Sequence, residues 1–199
     1  MKVANRLFLI LSIAAALAAD KKEVKFSAGP AASFASKVTY EKVTIGVKAY
    51  NTDELNRAAF GKVNPYMHGV LPILVVIQND SAAALRLDSI VVNYIAPDRT
   101  KIENVPPFEV KYIGASNQPK LSRSPLPTGA PRGRPKKGPL NSIEIETRAF
   151  SAKMLAPGDS ASGFFYFQTG HRRSSKFYLT GITEAKSGKE IFYFDIPFE

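Results

Sequence analysis

The chain has 199 residues, 45% of them hydrophobic, a net charge of +10 and no cysteine or tryptophan. Without cysteine there are no disulfides, no thiolate metal sites and no thiol nucleophiles, so the fold must rest on its hydrophobic core, for which the length suffices. The charge is concentrated: Lys2 and Arg6 lie at the start, and Lys120, Arg123, Arg132, Arg134, Lys136 and Lys137 lie in an acid-free stretch from Asn117 to Pro139. The remainder is close to balanced, so an electrostatic partner would meet one loop and not a basic face spread over the fold.

Lys2 and Arg6 precede an apolar run from Leu7 to Leu17, which ends in Ala16-Leu17-Ala18. That order predicts a secretory signal peptide over residues 1–19, too short for a membrane span. The mature protein is expected to be exported, periplasmic or extracellular, with no span left after signal removal. Residues 20–37 carry no hydrophobic period and read as a flexible N-terminal arm, leaving 38–199 as the folded domain.

Val43, Ile45, Val47 and Ala49 alternate as one face of a strand. In "NTDELNRAAFG", Asn51 or Thr52 is a candidate N-cap and Gly61 a stop, predicting a short helix near 52–60. "VLPILVVIQND" is apolar on both faces, the mark of a central strand covered above and below, with Pro72 tolerable near its start. In "LRLDSIVVNYIAPD" the phase slips between Leu87 and Ile90, predicting a bulge or break at Asp88-Ser89. Phe108–Ile113 reads as a further strand. The 117–139 segment reads as a long disordered basic loop, and alternation resumes at Ile143 and Ile145. A Pro157-Gly158 turn leads into a Phe-rich strand over Gly163–Gln168. "KFYLTGIT", a turn at "KSGKE" and "IFYFDIPF" read as a C-terminal hairpin, with Phe192, Phe194, Ile196 and Phe198 facing the core.

The sum is an all-β domain of about seven or eight short strands with one short helix, for which a single antiparallel immunoglobulin-like β-sandwich is the natural architecture. "VIQNDSAAALRLDSIVVNYIAPD" with "LAPGDSASGFFYFQ" resembles the extracytoplasmic immunoglobulin-like, or telokin-like, domains of bacteria. In those domains an apolar strand ends in Asn-Asp before a hairpin, and a Pro-Gly turn feeds a Phe-rich strand. The resemblance covers about 38–199 and implies a fold; it transfers no catalytic residue.

No catalytic, metal or cofactor site is expected. His68 and His171 have no ligand-spaced partners, and no Gly-x-Ser-x-Gly elbow occurs. Asp53-Glu54 suits a helix start, and Glu144 with Glu146 a solvent face. Two binding surfaces suggest themselves. Tyr166, Tyr178 and Tyr193 fall opposite the core-facing parity and form a candidate aromatic patch, for a protein partner more than a sugar because tryptophan is absent. "PRGRPKK" resembles an AT-hook: Arg132 and Arg134 suit a narrow minor groove and Lys136 and Lys137 suit phosphates. Its surroundings favour a solvated inter-strand loop over a DNA hook, and export would separate it from the genome. The expected function is a non-catalytic protein-interaction or structural accessory module of the cell envelope. The alternative is a binder of anionic polymer or surface (nucleic acid, acidic polysaccharide, lipid headgroups) through the 117–139 loop.

Overall fold

The computed structural model describes residues 26–114, 138–191 and 193–198. The expected signal peptide, almost all of the basic loop, and Arg132, Arg134, Lys136 and Lys137 lie outside the described residues, as does Phe192.

The all-β expectation holds, and the described strands form two antiparallel sheets. The first half contributes β1 (Ser36–Tyr40), β2 (Val43–Ala49), helix α1 (Asp53–Phe60), β3 (Leu71–Asn79), β4 (Leu85–Arg86), β5 (Val91–Ile95), β6 (Lys101–Val105) and helix α2 (Pro107–Val110). The second contributes helix α3 (Ile143–Thr147), β7 (Met154–Leu155), β8 (Ser160–Phe167), β9 (Lys176–Thr180), β10 (Ile182–Glu184), β11 (Glu190–Ile191) and β12 (Phe194–Pro197). Eight strands run in the order β1-β2-β3-β8-β6-β5-β9-β12, and four in the order β11-β10-β4-β7. The end strands β1 and β12 lie against each other, so the larger sheet is rolled around its own interior.

That interior is the first core. Val43, Ile45 and Val47 of β2 and Ile73, Val75 and Ile77 of β3 meet Val92, Tyr94, Phe177, Leu179, Phe194 and Ile196 from the other half. Each such side chain contributes about 1.5–3 kcal/mol through burial. A second core lies outside the roll, where Leu74 and Val76 of β3 and Phe164 and Tyr166 of β8 are covered by Phe60, Val110 and Ile145 from the three helices. The two-faced apolar pattern of β3 thus has its predicted cause: it pairs with β2 and β8 and is roofed on both sides.

The predicted short helix is α1, with the Thr52 side chain accepting from Leu55 N–H and Gly61 closing it onto the Arg57 carbonyl. The phase slip at Asp88-Ser89 is a break, where the chain leaves β4 in the small sheet and enters β5 in the large one. The C-terminal hairpin also forms, but across both sheets. Leu179 faces Phe194, and the same register continues to Ile182 facing Ile191.

Three expectations need correction. Phe108–Ile113 is not a strand but α2 and the turn after it. Pro107 presets the first helical φ, and Val110 and Ile113, three apart, pack inward while Phe108 stays exposed. The Ile143/Ile145 alternation is helix α3, in which Ile145 is buried and Ile143 exposed. Alternation over two residues fits one turn of helix as well as a strand. The described part of the arm, from Phe26 to Lys37, is packed and not loose. Phe26 lies 5.3 Å from Phe164 under the Arg148 guanidinium, and Ala31 and Phe34 are buried across β2. Gly46 makes that crossing possible, since a Cβ there would stand 2.8 Å from both the Ala31 carbonyl and the Phe34 ring.

Candidate functional site

The three candidate tyrosines do not share a surface. Tyr166 belongs to the second core: it is fully buried, and its hydroxyl donates to the Ile145 carbonyl at 2.8 Å, tying α3 to the sheet. Burial pushes its hydroxyl well above the usual tyrosine range. It is therefore removed from the aromatic patch, because parity names a face and cannot say which face the helices cover.

Tyr178 and Tyr193 do come together, with ring centroids 5.6 Å apart and planes 28° from parallel. Along β9, Phe177 and Leu179 point into the roll and Tyr178 points out. The register sets Asn93 of β5 and Asp195 of β12 directly across from Tyr178, and Glu103 of β6 beyond Asn93. A polar row thus crosses four strands beneath an aromatic pair, flanked by the exposed Val91. Lys176 pairs with Asp195 at 2.8 Å. Asn93 is buried with neither amide atom hydrogen-bonded, and Asp195 Oδ1 is likewise buried and unpartnered. Such atoms call for a water or ligand. Beside the row lies a cavity of about 520 Å³ rimmed by Arg99 and Ser174. Both are non-glycine residues in the left-handed region, at φ 66° and 64°, conformations whose cost gathers at functional sites.

A second depression, about 530 Å³, opens at one end of the roll between the N-terminal segment, the end of β2 and His171. Tyr94 organises it. Its hydroxyl accepts from Arg172 N–H at 2.8 Å and stands 3.5 Å from His171 Nδ1. The two groups share this contact, whose donor is set by the imidazole tautomer. The Phe198 ring meets the imidazole edge-on at 5.1 Å. Ser27, Ser33, Ser36, Lys48 and Asn51 join His171 in the lining, and among the described residues no carboxylate does. In the sequence, His171 is a histidine without ligand-spaced partners, and nothing there announces that the N-terminal segment folds against it.

Burial holds the His171 imidazole below the ordinary histidine value of 6.5. The folded protein therefore binds this proton more weakly than the unfolded chain does. Its contribution to stability is full above that value and is lost as pH falls through 6.5 toward the lower folded value. In thermal melts, wild type is expected to lose stability on going from pH 7.5 to about 5.5, and His171→Gln to lose measurably less. Parallel melting curves for the two proteins would show that His171 carries no such linkage.

Among the described residues, no group of three or more metal-ligating side chains converges, and no helix is long and apolar enough to cross a membrane. No protein-family model matches this chain, and no curated protein matches it.

Proposed function

We propose that this chain is an exported, non-catalytic recognition module of the cell envelope, an immunoglobulin-like β-sandwich whose outer tyrosine face holds a protein partner. The supporting observation is an asymmetry of cover. All three described helices and the N-terminal segment pack over the β3–β8 side, while β5, β9 and β12 present the Tyr178–Tyr193 stack and Val91 outward. Stacked tyrosines supply large contact area at small entropy cost, the composition that protein interfaces favour. The leader-like residues 1–19 support export, and the Asn79 turn supports the extracytoplasmic immunoglobulin-like resemblance. Replacing Tyr178 and Tyr193 together by serine should abolish capture of a partner from an envelope extract while leaving the unfolding midpoint within about 0.5 kcal/mol of wild type. Undiminished capture by the folded double variant would reject this face.

A second reading, anionic-polymer binding, is favoured by the concentration of positive charge between Asn117 and Pro139. Changing Arg132, Arg134, Lys136 and Lys137 to glutamine should then release the protein from a heparin column well below the salt that elutes wild type. Co-elution of the two would exclude the loop as the contact.

A further inference from the structure

The end of β2 extends beyond its neighbour. The β1–β2 ladder stops at the pair Ser36–Val47, whereas β2 continues against β3 through Lys48–Leu74 and Ala49–Ile73. Just upstream of β1 the chain turns aside into the 3-10 turn Ala31–Ser33, crossing β2 at Gly46. Among the described residues, β2 therefore has a strand partner on one side only over its last two residues.

The direction of the spare backbone groups follows from the alternation of an antiparallel strand. Tyr50 N–H bonds the Pro72 carbonyl on the β3 side, so Ala49, one residue before it, turns its N–H and C=O to the side that β1 has left. That side is the depression of about 530 Å³ described above, within the size range of small ligand sites. Val47, Ala49, Leu74 and Phe198 give it apolar walls, Lys48 and His171 supply polar groups, and among the described residues no carboxylate lines it.

We propose that this notch receives the C-terminal residue of an extended partner peptide, paired with Ala49 as an added strand. Strand addition supplies backbone hydrogen bonds, and the wall supplies side-chain contact. A peptide running antiparallel to β2 travels in the same direction as β1 and meets the start of β1 at Ser36 after a single rung. It has nowhere to continue, so a chain end fits where a passing strand does not. A chain end arriving in this direction brings a free carboxylate, which the Lys48 ammonium and the His171 imidazole, both in the lining, complement. The site is separate from the Tyr178–Tyr193 face, and each stands without the other.

The test is fluorescence anisotropy of the full chain with a randomised pool of labelled peptides of about five residues, made once as free acids and once as C-terminal amides. The acid pool should bind, with the amide pool at least about tenfold weaker. Ala49→Pro removes the N–H without removing a ladder bond, as edge positions tolerate, and Lys48→Glu reverses the charge. Each should abolish binding with the unfolding midpoint and the tyrosine-dependent capture unchanged. Equal binding of acids and amides, no binding of either pool, or binding that survives Ala49→Pro would overturn the proposal.

Discussion

Gly181→Ala is expected to lower the stability of the protein by about 2–5 kcal/mol, read as the shift of the urea midpoint at constant slope. Two costs combine. Gly181 sits at φ 84°, where an L side chain is strained by about 1–2 kcal/mol. The second cost is steric: an added Cβ would collide with the Ser89 carbonyl oxygen and stand 2.9 Å from the Ser89 carbonyl carbon. Both are backbone atoms that cannot rotate away, and such overpacking adds about 1–3 kcal/mol. Gly188 gives the internal control. It lies at φ 68° in the β10–β11 turn with nothing within 4 Å of an added Cβ, so Gly188→Ala carries the strain alone, about 1 kcal/mol. Equal losses for the two alanines would show that contact with the Asp88-Ser89 break does not matter. The position is sensitive because Gly181 is where the C-terminal hairpin passes from the large sheet into the small one, against the same break that separates β4 from β5.

Asn79→Ala comes next, at about 3 kcal/mol or more. Asn79 is fully buried at the end of β3. Its Nδ2 donates to the Ala83, Ala156 and Leu155 carbonyls at 2.9, 3.0 and 3.3 Å. Its Oδ1 accepts from Ser81 N–H at 3.1 Å and from the Ser81 hydroxyl at 2.6 Å. One amide thereby joins the β3–β4 turn to the segment beyond β7, 77 residues away along the chain. Alanine leaves several of these groups buried and unpaired, which costs more than the bonds are worth net. Asn79→Asp keeps the acceptor but turns a carboxylate toward carbonyl oxygens, so it should be at least as damaging at neutral pH and should recover partly on acidification. Thermal unfolding of both variants, with amide exchange at Ser81 as a local reading, checks this. Wild-type exchange at Ser81 in Asn79→Ala would show that the turn stands without the side chain.

Much of the scaffold is legible in the chain because it depends on local rules. Thr52 and Gly61 bound α1, and Val43, Ile45 and Val47 mark a half-buried strand. The run Leu71–Asn79 declares itself central by being apolar on both faces. The slip at Asp88-Ser89 is visible because one residue out of phase inverts every later side chain. The legible part of the site is smaller: Tyr178 and Tyr193 are named by parity, and their stacking is a matter of register between β9 and the residue preceding β12.

What tertiary structure decided is where cover falls. Phe108–Ile113 and Ile143–Ile145 are too short for period to separate strand from helix, and the open outer face of β3 and β8, needing a roof, selected helix. The same roof buried Tyr166 while leaving Tyr178 and Tyr193 outside, though all three obey one parity. Ala31 and Phe34 carry no periodic signal; they pack because Gly46 lets the chain cross β2 closely. The notch at Ala49 exists only because β1 ends one rung before β2 does. Period, capping and turn chemistry are properties of neighbours along the chain, so the sequence by itself determined the long central strands, the first helix and the all-β class, but not the short strands β6 and β7. Which faces were roofed and which edges stayed open depends on contacts between distant segments, and those only the folded structure could decide.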